Sequence, residues 1–365
     1  MSAATPAIDP IAAPHSAGAD VSLQATAGVT NSPPRSWSIE PRASFGAASL
    51  APKRLAENVV EEFWFGDDDP IRTHLQASSS LAAAAALATG LKPFPVIAQR
   101  VLSMTRDPTT SATDLCRVIE RDPGLLSKVL RVANSAIYAP SRPCTNIEMA
   151  TMRLGMRNVG QIVFMLVAHG MFNDTDATGA RIREHCVGVS VLVRRLAMGV
   201  MSIAADDLFL AGLLHDVGKL LAIQTKELDY SKIESQSGGF PEHTYLSERK
   251  LVGWDHAVLG AHVIENWQLP RNIALMVAWH HQPARAFAQD SAFAQAVALL
   301  RLADRIDYQF RVARMWSERF LDELDRASAF EYTNYDATLL RAAWPELVAT
   351  IEEGQAVLGS GKATR

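Results

Sequence analysis

The stretch AGLLHDVGKLL, residues 211–221, decides how this chain is read. His215 and Asp216 stand at the end of an apolar run, and a carboxylate behind Leu-Leu-His is costly to bury without a cation or hydrogen bonds. Neighbouring helical residues differ by about 100° in direction, so both side chains are expected to flank a single ion. Gly218 allows close backbone approach, and Lys219 places an ammonium beside the pair.

Outward from this stretch, more histidines sit on segments with helical periodicity. Around His185, the residues Val189, Leu192 and Leu196 fall at i+4, i+7 and i+11, which turns the imidazole inward, while Arg194 and Arg195 lie on the other side. His256 heads a second amphipathic stretch with Gly260, Val263 and Trp267. IALMVAWHH, residues 273–281, ends in His280 and His281. LLRLADRIDYQF, residues 299–310, carries Asp304 in an apolar helix, where Arg301 and Arg305 are competing partners for it. Neutral imidazole and carboxylate are donors that first-row divalent metals accept, so His185, His215, Asp216, His256, His280, His281 and Asp304 are the candidate metal ligands. Taken singly, each histidine is more often a hydrogen-bonded core residue. His243 lies in a Gly-rich loop and His262 has no partner pattern, so neither joins the set.

The upstream half reads as helices too. Ser111 with Asp114, and Thr145 with Glu148, have the form of capping boxes, and Asp122 before Pro123 gives an N-cap with proline at the first helical position. Asn134 and Ser135 are expected to close a helix, and Gly155 to end another. No period-two alternation is sustained, so the expected fold is all-α.

The order H, HD-x-GK, H, HH, D resembles the HD superfamily of metal-dependent phosphohydrolases. In spacing it is most similar to the HD-GYP subgroup, whose members hydrolyse cyclic di-GMP. That resemblance implies that the seven residues are ligands to one or two divalent ions (iron, manganese, zinc or nickel), with Asp216 bridging and Lys219 contacting a substrate phosphate. Asp216 and Lys219 would carry catalysis if the chain is active. After the doublet, however, the text is QPARAFAQD, residues 282–290, where the subgroup has its Gly-Tyr-Pro element.

The strings LKPFPVIAQRVLSM from Leu91, RDPGLLSKVLRVANS from Arg121, GLLHDVGKL, WDHAVLGAHVIENWQLP from Trp254 and AWHHQP from Ala278 resemble the HDOD domain, the HD-related output domain of bacterial signalling proteins. The likeness runs from about Leu91 to Asp307. It implies a multi-helix HDOD domain over residues 91–310, with an upstream half over 91–175 and an HD-like half over 176–310. The function it implies is a regulatory signalling module acting through contacts with other signalling proteins. The alternative is an active metal-dependent phosphohydrolase of a nucleotide or cyclic dinucleotide. A third reading is a sensor that binds a nucleotide second messenger without hydrolysing it.

Composition frames the remainder. Residues 1–52 are rich in Ala, Ser and Pro and are expected to be a disordered tail. Residues 53–90 are expected to be a helical linker or docking segment, and residues 311–365 further helices that cap the domain or pair two copies in a homodimer. The stretch SQSGGFPEHTY from Ser235 to Tyr245 is expected to be a surface loop or a lid. Three cysteines without close spacing, and no basic-then-apolar leader, point to a reducing cytoplasm. A net charge of −4 and a pI near 6.2 argue against a nucleic-acid partner, and the arginines at 301, 305, 311 and 314 are expected on a solvated face. No apolar run is long enough for a membrane span.

Overall fold

The computed structural model describes residues 74–90, 93–134, 142–172, 176–198, 205–236, 241–281, 286, 291–326, 330 and 332–357. The expected tail, and the docking segment up to residue 73, lie outside the described residues. Among the described residues there are only helices, turns and connecting segments, with no strand. None of the helices is long and apolar enough to cross a membrane.

The first helix, α1 (His74–Thr89), precedes an upstream bundle. That bundle is α2 (Val96–Arg106), α3 (Ala112–Glu120), α4 (Pro123–Ala133), α5 (Ile147–Leu154) and α6 (Met156–Met171). Its helix starts follow from side-chain chemistry. Ser111 and Asp114 exchange reciprocal hydrogen bonds as a capping box for α3, and Asp122 accepts from Leu125 N ahead of Pro123 in α4. The box expected at Thr145 and Glu148 does not form. Asn146 takes the cap of α5 one residue later and accepts from Met149 N, an equally good capping side chain placed at the true helix start. Asn134 does stand at the end of α4, but its amide is used on Cys144, donating to the carbonyl at 2.9 Å and accepting from the N–H at 2.7 Å. Ser135 lies outside the described residues. Gly155, with φ +81°, ends α5 and opens α6 through a left-handed conformation that glycine adopts freely.

The downstream part is built around α7 (Ala177–Leu196), which packs on α8 (Ala205–Leu214), α9 (Val217–Gln224), α14 (Ser291–Ala313) and α16 (Ala337–Val357). Short helices α10 (Tyr230–Gln236) and α11 (Pro241–Val252) lead to α12 (His256–Asn266) and α13 (Arg271–Trp279), which pack on each other. Val189, Leu192 and Leu196 of α7 are all buried, as their spacing predicts. The stretch expected as a loop or lid is helical at both ends, in α10 and α11, and residues 237–240 between them lie outside the described residues. After Ala313, α15 (Glu318–Arg326) and α16 bury Phe320, Leu321, Leu324 and Trp344, so these apolar residues serve the core, and α1 packs on α12.

Of the arginines expected on a solvated face, Arg314 is exposed beside Glu352, while Arg301 and Arg311 are put to work inside. Arg301 donates to the His280 carbonyl at 2.7 Å, and Arg311 folds one turn back to pair with Asp307. A guanidinium on an apolar helix lays its stem along the core and still reaches a buried acceptor.

Where α9 crosses α12, Gly218 makes the approach possible. A Cβ built there would lie 2.1 Å from the His256 carbonyl oxygen and 2.9 Å from Gly260 N, both backbone atoms that cannot rotate away. Gly218→Ala is therefore expected to destabilise the protein by about 3 kcal/mol or more, read as a drop in denaturant midpoint, because overpacking against fixed backbone forces the two helices apart.

Candidate metal centre

All seven expected ligand residues meet in one place. His185 comes from α7, His215 and Asp216 from the break between α8 and α9, His256 from the first turn of α12, His280 and His281 from the end of α13, and Asp304 from α14. The His-Asp pair thus sits in a turn between two helices and not within one, which frees both side chains from helical directions.

The ligand atoms form two groups, each with its donors within 4.8 Å of one another: His185, His215 and Asp304 in one, and Asp216, His256, His280 and His281 in the other. Asp216 joins them. Its Oδ1 lies 3.2 Å from His256 Nε2, while Oδ2 lies 3.5 Å from His215 Nε2 and 3.8 Å from His185 Nε2. His185 Nε2 is 3.0 Å from Asp304 Oδ1, so Asp304 faces the imidazoles.

Four of the five rings are oriented through Nδ1. His215 Nδ1 lies 2.8 Å from the Gly212 carbonyl and His280 Nδ1 2.6 Å from the Val277 carbonyl. A carbonyl only accepts, so both Nδ1 atoms carry the hydrogen. His185 Nδ1 meets Asp307 at 2.6 Å, and His256 Nδ1 meets Glu248 at 2.7 Å, a carboxylate that also accepts from the His256 backbone N–H. With Nδ1 committed, each neutral ring turns its Nε2 lone pair toward the centre. His281 Nε2 lies 2.9 Å from His256 Nε2, and the Nε2 lone pairs of His215 and His185, both rings held through Nδ1, confront each other at 3.2 Å. Lone pairs facing lone pairs need something positive between them. Asp216 Oδ1 and His280 Nε2 are buried with no hydrogen-bond partner, although His256 Nε2 is close to the former, and this donor set fits a cation.

Without an ion, protons and Lys219 fill that need. Lys219 Nζ donates to Asp216 Oδ2 at 2.8 Å. Burial opposes the charge on Asp216, but Lys219 and His215 outweigh it and hold the carboxyl well below its usual range. Burial likewise pulls His185 down, yet hydrogen bonds to Asp304 and Asp307 lift it to about 9. His256 rises to about 9, where burial is outweighed first by the charge of Glu248. His280 falls to about 3 through burial and the neighbouring His215 and His256.

Glu248, Asp307 and Tyr245 were not among the residues singled out from sequence. Asp307 stands three residues after Asp304, so helical spacing puts it on the same side, and that signal was available. Glu248 reaches His256 only because α11 folds onto α12, held there by the fully buried pair of Arg249 and Asp255. Tyr245 stacks on His281 with ring centres 5.2 Å apart.

The HDOD domain matches residues 91–283, more than half of the chain. The chain belongs to the HDOD domain family. An uncharacterized protein of Treponema pallidum (strain Nichols) is 24% identical over 230 residues, which is 61% of this HDOD chain and 44% of that protein. The chain thus spans less than half the length of the curated relative it matches. Among solved structures, a candidate phosphohydrolase of Shewanella amazonensis SB2B shares the fold with a TM-score of 0.62 at 20% identity, over 76% of this chain and 98% of that one. A candidate signal transduction protein of Marinobacter aquaeolei VT8 does so with a TM-score of 0.61 at 20% identity, over 80% and 67%.

The shifted histidines give the stability of the metal-free HDOD chain a pH dependence. Above the ordinary histidine value of 6.5, folded His185 and His256 keep protons that the unfolded chain has lost, so stability falls as pH rises toward 9. Below 6.5 the unfolded chain binds protons that His280 refuses, as do His169 and His262, both pushed down to about 4 chiefly by burial, and stability falls again. Thermal unfolding in chelator is expected to show its highest midpoint at about pH 6.5. Asp307→Asn should flatten the alkaline limb by removing one support of the His185 proton.

Proposed function

We propose that this HDOD chain is a signal-transduction module whose centre holds two divalent transition-metal ions and binds an anionic phosphate ester in the adjoining cavity. The observation that carries this reading is the convergence of seven ligand-type side chains, with four rings fixed through Nδ1 and two buried polar atoms left without a partner. His185, His215 and Asp304 would hold one ion and Asp216, His256, His280 and His281 the other, and iron, manganese, zinc and nickel all suit imidazole and carboxylate donors. Other signalling proteins are its proposed partners, in keeping with the family and with the name given to the Marinobacter protein.

A cavity of about 510 Å³ opens beside the ligands, and His185, Asp216 and Asp304 form part of its wall. Lys219, Arg181, Arg311 and Arg314 supply positive charge around it, against one carboxylate at the wall outside the ligand set, Glu184. Several of these cations are already paired, Lys219 with Asp216 and Arg311 with Asp307, so an entering anion would share them and not meet bare charge. Tyr230 and Tyr308 add aromatic wall. Such a lining suits a phosphate ester carrying an organic group, and a nucleotide second messenger is of that class.

A second reading, hydrolysis of the bound ester, is favoured by the shared wall, because the cavity brings a ligand against His185, Asp216 and Asp304. When bound, divalent ions polarise phosphoryl oxygens and supply a nucleophile at neutral pH. The chain's own part is to orient the imidazoles through Glu248, Asp307 and the two carbonyls, and to hold a phosphate oxygen with Lys219.

Elemental analysis of protein purified without an affinity tag, against a His215→Ala, Asp216→Ala double variant, tests the reading. One to two equivalents of transition metal are expected in the native chain and none in the variant, with helical circular dichroism kept in both. A native chain that takes up no iron, manganese, zinc or nickel on reconstitution overturns it. Loaded protein that fails to turn over bis(4-nitrophenyl) phosphate and cyclic dinucleotides sinks the hydrolytic reading alone, and turnover that survives Asp216→Ala sinks it too.

A further inference from the structure

The two ligand groups are unequal in three respects. The cavity wall includes His185, Asp216 and Asp304 but none of His256, His280 and His281. Two of the three front residues, His185 and Asp304, thus face the space a ligand would enter, whereas of the rear four only the bridging Asp216 does. His281, the least buried member of the rear group, is covered by the stacked ring of Tyr245.

Donor count differs as well. The rear group has four protein donors of its own, three imidazoles and a carboxylate, whereas the front group has three, apart from what Asp216 shares with it. Four protein donors close a tetrahedral site, and three leave room for an outside ligand.

Charge points the same way. Asp216 Oδ2, the oxygen nearer His215 and His185, is already neutralised by the Lys219 ammonium at 2.8 Å, whereas Oδ1 faces only the His256 imidazole at 3.2 Å, a ring that becomes a neutral ligand once an ion is bound. The ammonium both takes up part of the carboxylate's attraction and repels a cation in front. An anion in the cavity would offset that repulsion.

We propose that the rear set of Asp216, His256, His280 and His281 is a closed site that retains its ion, while the front set of His185, His215 and Asp304 is an exchangeable site. The front ion is held jointly by the protein and by an anionic ligand bound beside Lys219. This rests on the two-ion reading above and adds a regulatory property to it: the ligand's presence sets the occupancy of the front site.

Zinc-loaded native protein, exposed to graded EDTA and followed by elemental analysis, decides the matter. One equivalent should leave at a chelator concentration about ten-fold below that needed for the second, the lower end of what losing one supporting interaction costs a metal site. Inorganic phosphate should delay the first loss and leave the second unmoved. Asp304→Ala should keep one equivalent with the resistance of the retained ion, and His281→Ala should lose that resistance, with circular dichroism confirming that both variants fold. Two equivalents leaving together, or resistance lost in Asp304→Ala and kept in His281→Ala, overturns the proposal. A native chain that binds no manganese, iron, zinc or nickel overturns the two-ion reading itself, and this one with it.

Discussion

The buried charge of Asp216 is the constraint around which the downstream half is arranged. Its side chain is 2% exposed, and a carboxylate buried to that degree stays ionised only with positive charge or hydrogen bonds close by. Lys219 answers it from one helical turn along, which obliges α9 to begin immediately after the pair and to aim its first turn inward. Gly218 then has to be a glycine, because the same turn brings the backbone of α12 against it, with His256 on that contact. A short run of sequence thus fixes a carboxylate, its counter-ion and the crossing of two helices.

A second layer of buried charge holds the imidazoles in place. Glu248 and Arg249 are adjacent on α11, Asp255 and His256 are adjacent at the start of α12, and the two pairs interlock: Glu248 with His256 and Arg249 with Asp255. All four are buried. Asp255 also accepts from Val258 N, so the residue that balances Arg249 is the one that starts the helix. Removing one member of such a set leaves its partner charged and unpaired, typically a loss of about 3–5 kcal/mol, more than the pair itself contributes. On this account α11 orients a metal-type ligand from outside the ligand set, as outer carboxylates do for histidines at metal centres.

Helical periodicity and ligand chemistry made much of this legible from sequence. The inward turn of His185 followed from Val189, Leu192 and Leu196, and the all-helical class from the absence of alternation. Less legible was anything decided by a choice between near-equal local options, such as Asn146 in place of Thr145 as a cap. Contacts between distant segments were hidden altogether. Glu248 resembles any glutamate on a polar helix until α11 packs on α12, and Arg311 resembles a surface arginine until Asp307 is seen beneath it. Asp307 shares a helix side with Asp304 by spacing, but its bond to His185 Nδ1 exists only once α14 packs on α7.

The upstream bundle and the centre are mechanically one piece, which bears on how an HDOD module with ligand-type residues would work. Arg194 of α7 donates to Gln161 and Asn158 of α6 at 2.6 and 2.7 Å, and Gln161 donates in turn to Asp206 at the start of α8 at 2.7 Å. Helix α7 carries His185, and α8 runs directly into His215 and Asp216. The polar link therefore ties the last helix of the upstream half to the two helices that deliver three of the seven ligands. Displacing α6 either breaks partly buried hydrogen bonds or carries α7 and α8 with it. The packing of α6 on α7 and α8 and the placing of the ligand-type residues are set together in this fold, so the regulatory and hydrolytic readings proposed above do not exclude one another.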